Sequence, residues 1–327
     1  MRRRDFVTLL SGAATLPFTW PHATRAQTSY PDRAVTLVVP YAPGGGNDVV
    51  ARSVAEPMGK TLGQPLVIEN RGGGGGSIGT RQVARAPADG YTLGLGGTGT
   101  LAIDPTLYPK VGYDPRKDFA PVGLIATSPL IILVNETVAA HNVQELIALA
   151  KAQPGKLNYA SAGSGSGIHL GTVLFAETAG IDLTHIPYKG SGPALTDLLG
   201  GHVQIFFSSL PPAIGLVKEG KLRALGVTSL TRSRSFPDMP TVAEQGLPGF
   251  EAVLHYGIVA PAGTPSPIVD RLNAALRAAL SDPTVLDHLA TEGAEPLPTT
   301  PNEYAADIDR EETKWSALVR KSGALAK

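Results

Sequence analysis

Strand-like apolar runs and helix-like periodic runs alternate along this sequence, and three of the turns between them are built from glycine. These are Pro43-Gly44-Gly45-Gly46-Asn47-Asp48, the tract from Gly72 to Gly79, and Ser161-Ala162-Gly163-Ser164-Gly165-Ser166-Gly167-Ile168-His169. From Val35 the spacing predicts strand 35–40, helix 48–62, strand 66–69, helix 78–86 and strand 91–96. That β-α-β-α-β succession requires a parallel sheet covered by helices. Asp48 is expected to cap its helix, whose Val50, Val54, Met58 and Leu62 recur on one face, while Pro57 should kink or shorten it. A glycine turn between strand and helix bares backbone N–H groups beside the positive end of a helix dipole, a natural seat for an anion.

Strands are expected at 124–128 and 130–134 and a helix at 143–153. A second alternating series follows: strand 156–160, helix 168–179, strand 183–187, helix 193–199, and strands 203–207 and 222–228. Strand 252–260 and helices 267–280, 284–292 and 302–322 read as additions to the first domain. The chain is then expected to cross between domains at 119–130 and 238–256, a two-stranded hinge.

With 327 residues, 43% hydrophobic and 17% charged, the chain suits two packed domains and not a disordered one. Residues 1–26 read as an export signal: Arg2, Arg3 and Arg4, an apolar run from Phe6 to Leu16, and Thr24-Arg25-Ala26 as a small-x-small cleavage site before Gln27. Arg3-Arg4-Asp5-Phe6-Val7 fits a twin-arginine signal, with an ordinary secretory signal as the alternative. No later apolar run approaches the length of about 18 residues that spans a bilayer. The expected location is the periplasm. There is no cysteine, hence no disulfide, thiolate metal site or cysteine nucleophile. Taking the four arginines and one aspartate of the signal from the 28 basic and 28 acidic residues leaves 24 against 27, which argues against nucleic acid as a partner.

Other anion chemistries find no support. Gly74-x-Gly76-x-x-Gly79 and Gly94-x-Gly96-x-x-Gly99 mimic a dinucleotide fingerprint, without a clear acidic residue about 20 positions on. Gly59-Lys60-Thr61 lacks the first glycine of a phosphate loop, since Val54 stands there. Ser161, Ser164 and Ser166 with His169 or His185 could furnish a hydrolase, though no Gly-x-Ser-x-Gly elbow exists, and Ser166 with His169 is better read as a helix cap. No histidine pairing suggests a metal, and no cofactor is expected.

Five segments together carry a family resemblance: Pro43-Gly44-Gly45-x-x-Asp48, Glu69-Asn70-Arg71, Ser161-x-Gly163-x-Gly165-Ser166-x-x-His169, His185-Ile186-Pro187-Tyr188-Lys189-Gly190, and Pro237-Asp238-Met239-Pro240-Thr241-Val242-Ala243-Glu244. From about Tyr30 to Trp315 the chain resembles the substrate-binding proteins of tripartite tricarboxylate transporters, the TctC-like or Bug receptors. The resemblance implies an α/β, type II periplasmic binding protein fold: two lobes on a two-stranded hinge, without catalysis. The expected lobes are 27–128 with 252–327, and 129–251. It further implies that a small carboxylate is held by Tyr41, Gly44, Gly45, Gly46, Asn47 and Asp48 together with Gly75, Gly76, Ser77 and Gly79, with the hydroxyls of Thr98 and Thr100 nearby. Ser161, Gly165, Ser166, His169, Tyr188 and Ser208 would face it from the second lobe.

Two positions depart from the family pattern. Ser77 replaces a common asparagine, and Ser208 stands where aspartate is frequent, which removes a partner for a ligand amine and points to a non-amino organic acid. The implied partners are membrane permease subunits, or a sensor kinase if the same fold serves signalling. The receptor itself is expected to be a monomer.

Overall fold

The computed structural model describes residues 30–108 and 110–322; the export segment read at 1–26 lies outside them. The chain forms β1 (Val35–Val39), α1 (Gly46–Leu62), β2 (Leu66–Asn70), α2 (Ser77–Ala84) and β3 (Thr92–Gly97), then a π-helix (Thr98–Ile103), α3 (Asp104–Leu107) and the long β4 (Phe119–Val134). The second series is α4 (Val143–Ala152), β5 (Asn158–Ser161), α5 (Gly167–Ala179), β6 (Thr184–Pro187), α6 (Ser191–Leu199), β7 (Ile205–Ser209), α7 (Leu210–Lys218) and β8 (Arg223–Val227). It closes with β9 (Val253–Pro261), α8 (Ser266–Ala279), α9 (Pro283–Thr291), β10 (Glu295–Pro296) and α10 (Pro301–Ser322).

The strands follow the order β2-β1-β3-β9-β4-β7-β5-β6, with β8 and β10 also paired to β4. β2, β1 and β3 are mutually parallel, as are β6, β5 and β7, so each end of the sheet has the crossover geometry that the alternation predicts. Between them β9 and β4 run antiparallel to each other. The two strands expected at 124–128 and 130–134 are one strand. It changes partners at Pro129, pairing with β9 as far as that residue and with β7 and β8 from Leu130 onward. Proline lacks the N–H that a ladder would use, which suits a residue standing where one ladder gives way to the next.

α1 is not shortened by Pro57. It runs to a left-handed cap at Gly63, because Val50, Val54, Met58 and Leu62 are buried and packing outweighs one missing hydrogen bond. α7, unforeseen from the sequence, opens on Leu210-Pro211-Pro212. Proline is tolerated there because the first N–H groups of a helix have no internal acceptor. α8 and α9 pack on α1, while α10 packs on the π-helix and β4, burying Tyr304 and Trp315. In the second series Phe175 fills the core between Phe207 and Phe250.

One side chain joins both crossings. Thr228 Oγ1 accepts from Leu130 N–H at 2.7 Å and donates to the Ala252 carbonyl at 2.5 Å, while Thr228 N–H bonds the Leu130 carbonyl and Ala252 N–H bonds the Thr228 carbonyl. Thr228 is fully buried, so Thr228→Val, nearly the same in shape, should strip partners from Leu130 N–H and the Ala252 carbonyl and cost about 1–3 kcal/mol in urea denaturation. An unchanged midpoint would show that the hydroxyl carries nothing.

Candidate functional site

A cavity lies where the glycine turns of the two series meet. Its walls include Tyr41 and Asn47, Thr98, Gly99 and Thr100 of the π-helix, Ala162, Ser166, Gly167 and Ile168 at the start of α5, and Leu254, His255 and Tyr256 of β9. Three helical segments therefore begin at one space. α1 starts at Gly46 and α5 at Gly167, and the first N–H groups of each have no acceptor inside their helix. The π-helix starts at Thr98, directly after β3. About 20 Å³ of the cavity admits the centre of a water molecule, room for one or two waters.

The turns from the two series touch. Ala42 N–H donates to the Lys189 carbonyl at 3.2 Å, and Tyr108 Oη donates to the Ser164 carbonyl at 2.6 Å. Gly75 has φ +68° and sits so close to Ser164 that a Cβ there would lie 2.0 Å from the Ser164 carbonyl oxygen. The cleft between the series is shut.

Of the residues named from sequence, Tyr41, Asn47, Thr98, Thr100 and Ser166 line the cavity. Tyr41 spends its hydroxyl on the Gly75 carbonyl at 2.7 Å, linking the first two glycine turns. Gly44 lies in the open at φ +79°, Gly45 precedes α1 opposite Ser191, and Gly46 packs under Ser209 and Tyr256. Asp48 is not the helix cap. α1 starts two residues earlier than expected, so the Asp48 carboxylate reaches back to Gly44 N–H at 3.0 Å and also binds Arg52 at 2.9 Å and Asn70 Nδ2 at 3.0 Å. Burial raises its pKa, but these three partners outweigh it and hold the carboxyl below its ordinary range.

The second glycine turn stands behind Tyr41 and does not line the cavity. Gly76 packs on Thr100 and Tyr41, Ser77 opens α2, and Gly79 lies against Pro40 and the Arg71 carbonyl. Gly165 faces Asp104 of α3. Tyr188 donates to Asp197 at 2.6 Å, and buried Ser208 donates to the Ser209 carbonyl at 2.8 Å. Ser166 caps α5 by accepting from His169 N–H, as its spacing predicts. His169 Nδ1 in turn accepts from Gly165 N–H at 3.2 Å.

Sequence reasoning missed Leu254 and Tyr256. The period of a strand identifies its two faces but not which one looks into a cavity. Of the serine–histidine combinations the sequence offered, the structure brings together Ser161 and His185, whose Oγ and Nε2 lie 2.6 Å apart. That pair resembles a nucleophile and base, but Ser161 is fully buried, outside the cavity wall, and also receives Gly163 N–H. His185 stacks between Tyr159 and His169, with no carboxylate bonded to it among the described residues. Burial pulls His185 down to about 4, and burial with the neighbouring His185 pulls His169 down to about 3, so both are neutral.

Among the described residues no lysine, arginine or carboxylate lines the cavity wall. His255 contributes to the wall through β9, but its ring bonds Asp307 of α10 at 2.8 Å. Burial lowers its pKa, yet Asp307 and the Glu311 charge prevail and leave it raised. Among the described residues no cluster of histidines and carboxylates could hold a metal ion. What the cavity can do chemically is accept negative charge onto uncharged N–H and O–H donors.

Residues 50–324 match the family model of the tripartite tricarboxylate transporter family receptor, TctC. The chain is 40% identical to the protein BugT of Bordetella pertussis, over 91% of this chain and 92% of that one. Its structure superposes on the periplasmic binding protein BugD with a TM-score of 0.88 at 40% identity, covering 91% of this chain and 100% of that one. Two proteins of Rhodopseudomonas palustris are equally informative, each at 38% identity. Rpa4515, solved with adipate, gives a TM-score of 0.87 over 90% of this chain and 98% of its own. MatC, with bound malate, gives 0.85 over 89% and 100%.

The contact at Gly75 is testable. Gly75→Ala should hold the facing turns apart, read as faster amide exchange at Ser164 and Gly165 and a larger radius of gyration. Gly44→Ala, equally left-handed but in open space, should cost only about 1–2 kcal/mol of backbone strain and leave both readouts unchanged.

Proposed function

The chain belongs to the tripartite tricarboxylate transporter receptor family, and we propose that it is an exported receptor that captures a small organic acid and delivers it to the permease subunits of such a transporter. The fold is that of the two-lobed periplasmic binding proteins. In this reading residues 1–26 are removed on export, residues 27–128 with 252–327 make one lobe and 129–251 the other, and the protein acts as a monomer. The observation that carries it is the convergence of the α1, π-helix and α5 starts on one cavity between the lobes that no lysine, arginine or carboxylate lines among the described residues. The shut cavity holds only one or two waters, so a diacid enters when the lobes part; once it is shared by donors from both lobes, its binding favours closure around it over the open arrangement.

The same wall also bears on the ligand's class. Among the described residues no carboxylate lines it, and the Ser208 hydroxyl is turned to a neighbouring carbonyl, so an ammonium group would find no charged partner there. A non-amino acid is favoured. Relatives solved with adipate and malate support a carboxylate, and Leu254, Ile168 and Tyr256 supply apolar surface for its carbon chain. The hydrolase alternative is disfavoured by a buried Ser161 whose histidine has no bonded carboxylate and by a Ser166 engaged as a helix cap.

Calorimetric titration with malate, adipate and succinate beside aspartate and glutamate tests this directly. The diacids should bind and the amino acids should not; binding of amino acids alone would reverse the assignment. Ser166→Ala should cost about 1 kcal/mol of stability and leave a folded protein with weakened but measurable binding. Ester hydrolysis by the natural protein that Ser166→Ala or Ser161→Ala abolishes would establish an enzyme instead.

A further inference from the structure

Asp104 is fully buried, and its Oδ1 has no hydrogen-bond partner among the described residues. Its Oδ2 receives one long bond, from Tyr113 Oη at 3.3 Å. The free oxygen points across the cleft: a Cβ on Gly165, in the facing lobe, would lie 2.3 Å from Oδ1. In the shut cleft the Gly165 turn lies over this oxygen, and the carboxyl is fully buried. We propose that Asp104 is a proton-binding site completed by closure of the cleft, so that ligand capture takes up one proton from solvent onto its carboxylate.

The surroundings offer no substitute for that proton. Tyr41, Tyr108 and Tyr113 crowd the carboxyl with neutral phenols, and Tyr113 divides its hydroxyl between Asp104 and the Thr100 carbonyl. From the facing lobe His169 is neutral. α10, packed against α3, brings Glu311, which accepts from Trp315, and Glu312, which is paired with Arg116. Arg81 bonds the Val111 carbonyl. No cation is bonded to Asp104 among the described residues, and burial drives its carboxyl well above the usual range, against the smaller opposing effect of Tyr113. In an open cleft the same group meets water and ionises near its ordinary value, about 3.9. Because the pKa is higher in the closed state, closure is fully favoured below that ordinary value. It weakens about tenfold per pH unit above it, until the closed-state value is reached.

This inference rests on the two-lobe capture reading. Malate and adipate, both dianions at neutral pH, are titrated calorimetrically near pH 7.5 in buffers of different ionisation enthalpy. The natural protein should take up more protons per ligand than Asp104→Asn, by up to about one, and the variant should bind at least about tenfold more tightly and with a flatter pH dependence. Subtracting the variant also removes the contribution of His255. Equal proton counts with affinities within about twofold would overturn the proposal. Asp104→Ala, likewise without an ionisable group, serves if Asp104→Asn does not fold. If neither diacid binds, the capture reading fails separately, and the ligand-free radius of gyration decides the proton site. The natural protein should contract on acidification from about pH 8 to 5 while Asp104→Asn stays compact throughout. Superimposable curves would count against it.

Discussion

A backbone N–H at the start of a helix has no acceptor within that helix, and this deficit organises the molecule. Parallel strands deliver their following helices from one edge of a sheet. The starts of α1 and the π-helix therefore lie side by side after β1 and β3, and α5 begins likewise after β5. Putting the two parallel groups at opposite ends of one continuous sheet turns these edges toward each other. The cavity between them is the place where both deficits can be met at once.

The strands between those groups give the arrangement its freedom. β4 passes from one ladder to another at Pro129, β9 begins at Val253 on the opposite side of the same junction, and Thr228 ties the two crossings by side-chain and backbone bonds. The lobes are thus joined by extended backbone whose hydrogen bonds change partner at a defined level.

The alternation of periods made most of this fold legible. Where it failed, a residue was read for its usual habit and not its position. Pro211 and Pro212 look like breakers, yet in a first helical turn they break nothing. Asp48 looks like a cap, but α1 starts early enough to turn its side chain back onto Gly44. In the site, Tyr41, Asn47, Thr98, Thr100 and Ser166 could be found because they flank glycine turns after strands. Leu254 and Tyr256 could not, since they are ordinary residues of an alternating strand. Ser161 and His185 stand 24 residues apart in sequence and meet only because β5 and β6 pair in parallel.

The cavity wall combines residues at three helix starts with the apolar side chains of Leu254, Ile168 and Tyr256. Replacing a residue at the start of α1 or α5 changes its side chain and leaves the N–H groups pointing where they did. Replacing Leu254, Ile168 or Tyr256 changes the shape offered to the rest of the ligand. In the receptor reading, charge recognition and shape recognition are therefore encoded in different parts of the polymer. A single substitution at Leu254, Ile168 or Tyr256 would then change which acid such a protein carries while the helix-start donors stay in place.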